Sequence, residues 1–217
     1  MELFNLPYNT IIQRFVAKSH FDSVTNSKQK AMFTNDIAKI TWCNTLSTET
    51  TNLPHKEIEE IQIFSIELKE RKEIKSILEI IDKTIPYHII FIVTFGDEHY
   101  LSASAKHTSP LNDNKSVIDW TYTSPWFRKT ENIYSLNLKK DIDNVFFDFC
   151  QQLSKKLNNS IKNIADLSAY NSKFSSLTKE IEQIKKKIST SPQFNKKVEL
   201  NLSLKKLEDD LSKIIDA

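Results

Sequence analysis

Apolar residues recur along this chain with three different periods, and each period predicts a different kind of element. Period two predicts strands. Residues 38–44 (AKITWCN) alternate and are rich in β-formers, as are residues 59–69 (EEIQIFSIELK). In the second segment Ile61, Ile63, Ser65, Glu67 and Lys69 fall on one face, and Phe64, Ile66 and Leu68 on the other. Residues 88–95 (HIIFIVTF) are almost continuously apolar, as in a strand covered on both faces. Gly96-Asp97-Glu98 reads as a hairpin turn into a strand over 99–106, and residues 117–123 make a fifth strand.

A period near 3.6 predicts helices. Residues 8–19 carry Ile11, Ile12, Phe15 and Val16 at helical spacing, behind Asn9 or Thr10 as an N-cap. Residues 27–35 form a second short helix. Residues 74–85 place Ile77, Leu78, Ile81 and Ile85 on one side and stop at Pro86. Residues 141–157 carry a stripe of Ile142, Val145, Phe146, Phe149 and Leu153, with Asp141 or Asp143 at the start. Residues 46–57 (LSTETTNLPHKE) and 108–116 (TSPLNDNKS) read as loops.

The third pattern alternates steps of three and four. It links Phe174, Leu177, Ile181, Ile184 and Ile188, pauses at the STSPQFN breaker, and resumes at Leu200, Leu204, Leu207, Leu211 and Ile214. Two such stripes joined by a short turn predict an antiparallel helical hairpin. The expected fold is therefore α/β (α+β): a mixed sheet of about five strands with flanking helices over residues 1–165, then a coiled-coil hairpin over 170–217.

Composition narrows the function. Thirty basic residues against 28 acidic ones, in a chain of 217, give a net charge of +2, so no bulk field announces nucleic acid. The single glycine, Gly96, excludes the glycine-rich phosphate loops of nucleotide hydrolases and dinucleotide enzymes in their usual forms. Cys43 and Cys150 are lone and distant, which predicts neither a disulfide framework nor a cysteine zinc site. The five histidines show no close metal spacing. With no signal-peptide pattern at the start and no apolar run of spanning length, the expectation is a cytoplasmic protein without membrane contact.

Three constellations carry candidate chemistry. Glu67-Leu68-Lys69, at the end of a strand, matches the ExK half of a PD-(D/E)xK-type nuclease centre. There carboxylates hold Mg²⁺, the one cofactor such a centre would need, and a lysine orients the attacking water. The second acid would be Glu49, brought back by its loop. Trp120, Tyr122 and Trp126, followed by Arg128 and Lys129, interleave aromatics with base and would stack on single-stranded nucleic acid if exposed. The hairpin residues Leu177, Ile181, Ile184, Ile188, Leu200, Leu204, Leu207 and Leu211 form a stripe for a protein partner or a second copy, since two helices bury little core of their own.

The segments FNLP, EEIQIFSIELKER, IIDKTIPYHIIF and QFNKKVELN, in that order, resemble an uncharacterised bacterial family known as a domain of unknown function. The resemblance covers nearly the whole chain. It implies a genomic setting beside DNA methyltransferases and helicases of restriction-like defence systems, and no particular activity. The leading expectation is a non-catalytic adaptor of such machinery, reaching DNA indirectly. A Mg²⁺-dependent nuclease and a single-stranded nucleic-acid module are the alternatives.

Overall fold

The computed structural model describes residues 3–109, 112–154 and 160–216. The chain divides into two compact units, residues 1–155 and 156–217.

The first unit opens with a departure from the helical spacing of residues 8–19. A 3-10 turn at Tyr8–Thr10 leads into strand β1 (Ile11–Phe15), which pairs antiparallel with β2 (Ile37–Ser47). Pairing to β2 overrides the local period, and Gln13 takes a positive φ of 50° where the register shifts. Helix α1 (Ser27–Asp36) starts at a capping box: Asn26 accepts from the Gln29 N–H, and the Gln29 side chain accepts from the Asn26 N–H. A single helical turn, α2 (Thr48–Thr51), interrupts the loop expected after β2.

Strand β3 (Glu60–Leu68) pairs antiparallel with β2, and helix α3 (Lys75–Thr84) carries the chain over to β4 (His88–Phe95). β4 lies parallel to β3, the crossover that a helix of this length permits. The sheet then meanders through β5 (Glu98–Ser109), β6 (Asn112–Thr123) and a two-residue β7 (Phe127–Arg128) that pairs with β5. The order is β1-β2-β3-β4-β5-β6. Five strands were expected and all five are present; β1 and β7 are additional. Much of the segment expected as a loop at 108–116 is strand, and residues 110 and 111 of it lie outside the described residues.

Both faces of the sheet are covered. On one, Phe64, Ile66, Leu68, Phe91, Val93 and Tyr100 pack with Phe33 of α1 and Ile77, Leu78 and Ile81 of α3. Helix α4 (Ile142–Leu153) covers the other, burying Val145, Phe146 and Phe149 completely. Each such side chain contributes about 1.5–3 kcal/mol by leaving water. Asp141 caps α4 by accepting from the Asn144 N–H at 2.8 Å. Asp143 accepts from the N–H groups of Lys56, Glu57 and Ile58 at 2.8–3.1 Å, which ties the loop before β3 to the start of α4. Residues 155–157, expected as the end of this helix, lie outside the described residues.

The second unit is the expected hairpin, α5 (Ile164–Thr190) against α6 (Phe194–Asp216). Its stripe residues lose solvent: Ile181 is buried, and Leu177, Ile184, Ile188, Leu200, Leu204, Leu207 and Leu211 are half-buried. A Lys185–Glu208 ion pair at 2.8 Å joins the two helices.

Candidate functional site

The C-terminal ends of β3 and β4, the one parallel pair among the described residues, lie side by side, which is where α/β sheets present ligand-binding groups. Register lines up five residues there: Lys39 of β2, Glu67 of β3, Thr94 of β4, His99 of β5 and Phe127 of β7. Cross-strand partners share a face, so these side chains form one row across the sheet. Lys39 Nζ stands 3.9 Å from Glu67 Oε1, both about half exposed. Thr94 Oγ1 lies 3.1 Å from His99 Nδ1, and the His99 ring is 6.1 Å from that of Phe127. Burial, reinforced by Lys129, lowers the His99 pKa from its ordinary value and favours the neutral ring.

Lys69 is not free to join this row. Its Nζ donates to the Thr34 carbonyl at 2.8 Å, and its N–H donates to the Asp36 carbonyl at 2.9 Å. Lys18 Nζ donates to the Ile37 carbonyl. The two ammonium groups thus close the C-terminal end of α1, where carbonyls lack helical partners and the dipole is negative. Burial, then the neighbouring Lys69, lowers the Lys18 pKa.

Glu49 is not brought to Glu67. Ser47 pairs with Glu60, and Lys39 pairs with Glu67, so Glu49 emerges at the opposite end of β3, more than about 20 Å away. The antiparallel pairing of two long strands fixes that separation, and no loop can close it. Asp36 lies nearer but accepts from Lys72 Nζ at 2.6 Å. Among the described residues, no group of three or more His, Cys, Asp or Glu is placed to hold a metal ion.

The aromatic and basic set is divided by the sheet. Tyr122 is buried on the α4 side, with Trp120 half-buried beside it. Trp126 packs edge-on against Tyr100 at 4.8 Å on the α3 side and lies 4.8 Å beneath the Arg71 guanidinium, which pairs with Glu98 at 2.7 Å. Arg128 is exposed and Lys129 half-buried. The three rings make no common stacking surface.

One polar group sits where periodicity gave no warning. Lys106 of β5 and Asp82 of α3 are both 1% exposed and pair at 2.8 Å. Lys106 Nζ also donates to the carbonyls of Asp82 and Ile85, capping the end of α3 from within the core. Burial pushes the Asp82 pKa up and the Lys106 pKa down, each opposed by the partner's charge. Nearby, burial and Lys106 lower His88 to about 4, and its ring stands edge-on to Phe146 at 4.7 Å.

Residues 4–211 match the family described as Domain of unknown function (DUF4391). The chain belongs to that family. The match runs through the sheet unit and nearly to the end of α6, so the hairpin is part of what defines a DUF4391 domain rather than an attachment to it. The family resemblance carried by FNLP, EEIQIFSIELKER, IIDKTIPYHIIF and QFNKKVELN is thereby borne out. No curated protein and no solved structure matches this DUF4391 chain.

Proposed function

We propose that this protein is a non-catalytic interaction subunit that docks on a protein partner through its helical hairpin. The observation that carries the reading is a second apolar stripe on α6, turned away from the seam. Phe194, Val198 and Leu202 follow one another at i, i+4 and i+8, and are 78%, 45% and 68% exposed. Large apolar side chains so arrayed mark a contact surface.

The surrounding charge states what kind of partner fits. Residues 183–202, which include the turn, contain five lysines and one glutamate. A partner with an apolar groove rimmed by carboxylates complements that tip. The family resemblance suggests DNA-modifying or helicase machinery as the source of the partner, with DNA contacted by the partner rather than by this chain.

The test replaces Phe194, Val198 and Leu202 by serine in the full chain and follows co-purification with the products of the neighbouring genes, among which the family resemblance implies a methyltransferase or helicase. Loss of association with the helical circular dichroism retained is the expected result. Undiminished association would dismiss the hairpin as the docking element.

A further inference from the structure

Strand β1 is weakly embedded in the sheet. It stands at one end of the strand order, and no strand among the described residues pairs with its outer side. Three register pairs join it to β2, against nine between β2 and β3, and its register shifts between Ile11 and Arg14. Ile11 is half-buried, and the other four residues are exposed, Phe15 to 61%. Burial is what holds a strand in place, and β1 buries almost nothing. Its backbone is strained as well. Gln13 has a φ of 50°, in the left-handed region that residues with a Cβ rarely enter. The spacing of Ile11, Ile12, Phe15 and Val16 fits a helix, so local preference does not support the pairing either.

Firm attachments bracket this strand. Before it, the buried Thr10 hydroxyl accepts from Asn44 Nδ2 at 2.9 Å and donates to the Pro7 carbonyl at 2.7 Å. After it, the Val16 N–H donates to the Ile40 carbonyl at 3.0 Å, and Lys18 Nζ donates to the Ile37 carbonyl.

We infer that β1 is a strap that opens away from β2 between these attachments while the rest of the sheet stays folded. Segments that combine little burial with exposed backbone hydrogen bonds are the ones that open locally. In the closed state the Arg14 guanidinium lies over the Trp42 ring, 5.8 Å from its centroid, and that ring stacks on Phe64 at 6.2 Å. Opening lifts Arg14 from the indole and bares the β2 edge from Thr41 to Asn44. The device thus turns a covered strand into an unpaired edge without unfolding the sheet.

Docking through the hairpin does not depend on β1, and the two readings fail separately. Native-state hydrogen exchange of the full chain, read residue by residue by NMR at rising sub-denaturing urea, tests the strap. The β1 amides that face β2 should exchange roughly a hundredfold faster than the β6 amides of residues 116–123 that face β5. β6 ends the strand order on the other side, so the comparison separates the strap from edges in general. Exchange in β1 should not respond to urea, because a local opening exposes little surface. The Val16 amide, beyond the strap, should keep the protection of β2. Residue 13 should set the rate: Gln13→Asn, which tolerates this φ, slows exchange in β1, and Gln13→Val speeds it, the two differing by roughly tenfold. Circular dichroism identifies either variant if it fails to fold, and the parent chain's urea series stands without them. β1 amides protected as well as those of β6 overturn the inference. So does β1 exchange that accelerates with urea as global unfolding does, and so does a rate indifferent to residue 13.

Discussion

Lys106 holds its ammonium 2.8 Å from the Asp82 carboxylate in a position where neither side chain reaches solvent. Removing one partner strands the other's charge, so Lys106→Met should destabilise the first unit by about 3–5 kcal/mol. Pairing it with Asp82→Leu should recover most of that loss, because the desolvation cost disappears along with the attraction. Urea unfolding of the single and double variants measures both. Equal losses in the single and double variants would show that packing around Lys106, rather than the stranded carboxylate, sets the cost.

His88 makes stability depend on pH. Its folded value of about 4 lies below the ordinary 6.5, so the unfolded chain takes up a proton that the folded chain refuses. The contribution is fully present above about pH 6.5 and is lost as pH falls toward 4. A separation of this size corresponds to about 3 kcal/mol at most. His88→Gln should flatten the stability profile between those pH values, as read from denaturant midpoints at successive pH.

Asp143 gathers three backbone N–H groups of the loop before β3. Asp143→Ala should cost about 2 kcal/mol, since charge-assisted bonds to a carboxylate are the stronger kind. Limited proteolysis should then cut within residues 52–58 sooner than in the parent chain, while the hairpin is cut no faster.

The ExK pair divides in its effect. Glu67→Ala removes a long, half-exposed ion pair and should change stability by no more than about 0.5 kcal/mol. Lys69→Met takes a donor from the end of α1 and should cost about 1 kcal/mol. Thermal melts of the two variants side by side decide this, and equal effects would contradict the assigned role of Lys69.

The contrast shows where sequence reasoning reached and where it stopped. Apolar patterning identified β2 to β6, α3, α4 and the hairpin, because burial on one face, or on both for β4, is recorded in the spacing of apolar residues, whereas α1 buries only Phe33. It misread residues 8–19, where Ile11, Ile12, Phe15 and Val16 mimic a helical stripe but the chain pairs with β2. Local spacing cannot register a long-range ladder. For the same reason Glu67 was found while its neighbours were not. Lys39, Thr94 and His99 join it only through strand register, and register places Glu49 at the far end. Lys106 closes the strand expected over 99–106, where spacing alone does not mark a buried charge. Its burial depends on α3 ending just where β5 passes.

The parallel pairing of β3 with β4 also orders the events of folding. β2 with β3, and β4 with β5 and β6, join neighbours in sequence, so each block closes small loops at little entropic cost. β3 and β4 can meet only after α3 has spanned the gap between the blocks. The two antiparallel blocks should therefore form first and the β3–β4 junction last. In pulse-labelled hydrogen exchange, amides whose bonds cross that junction should gain protection after those within either block.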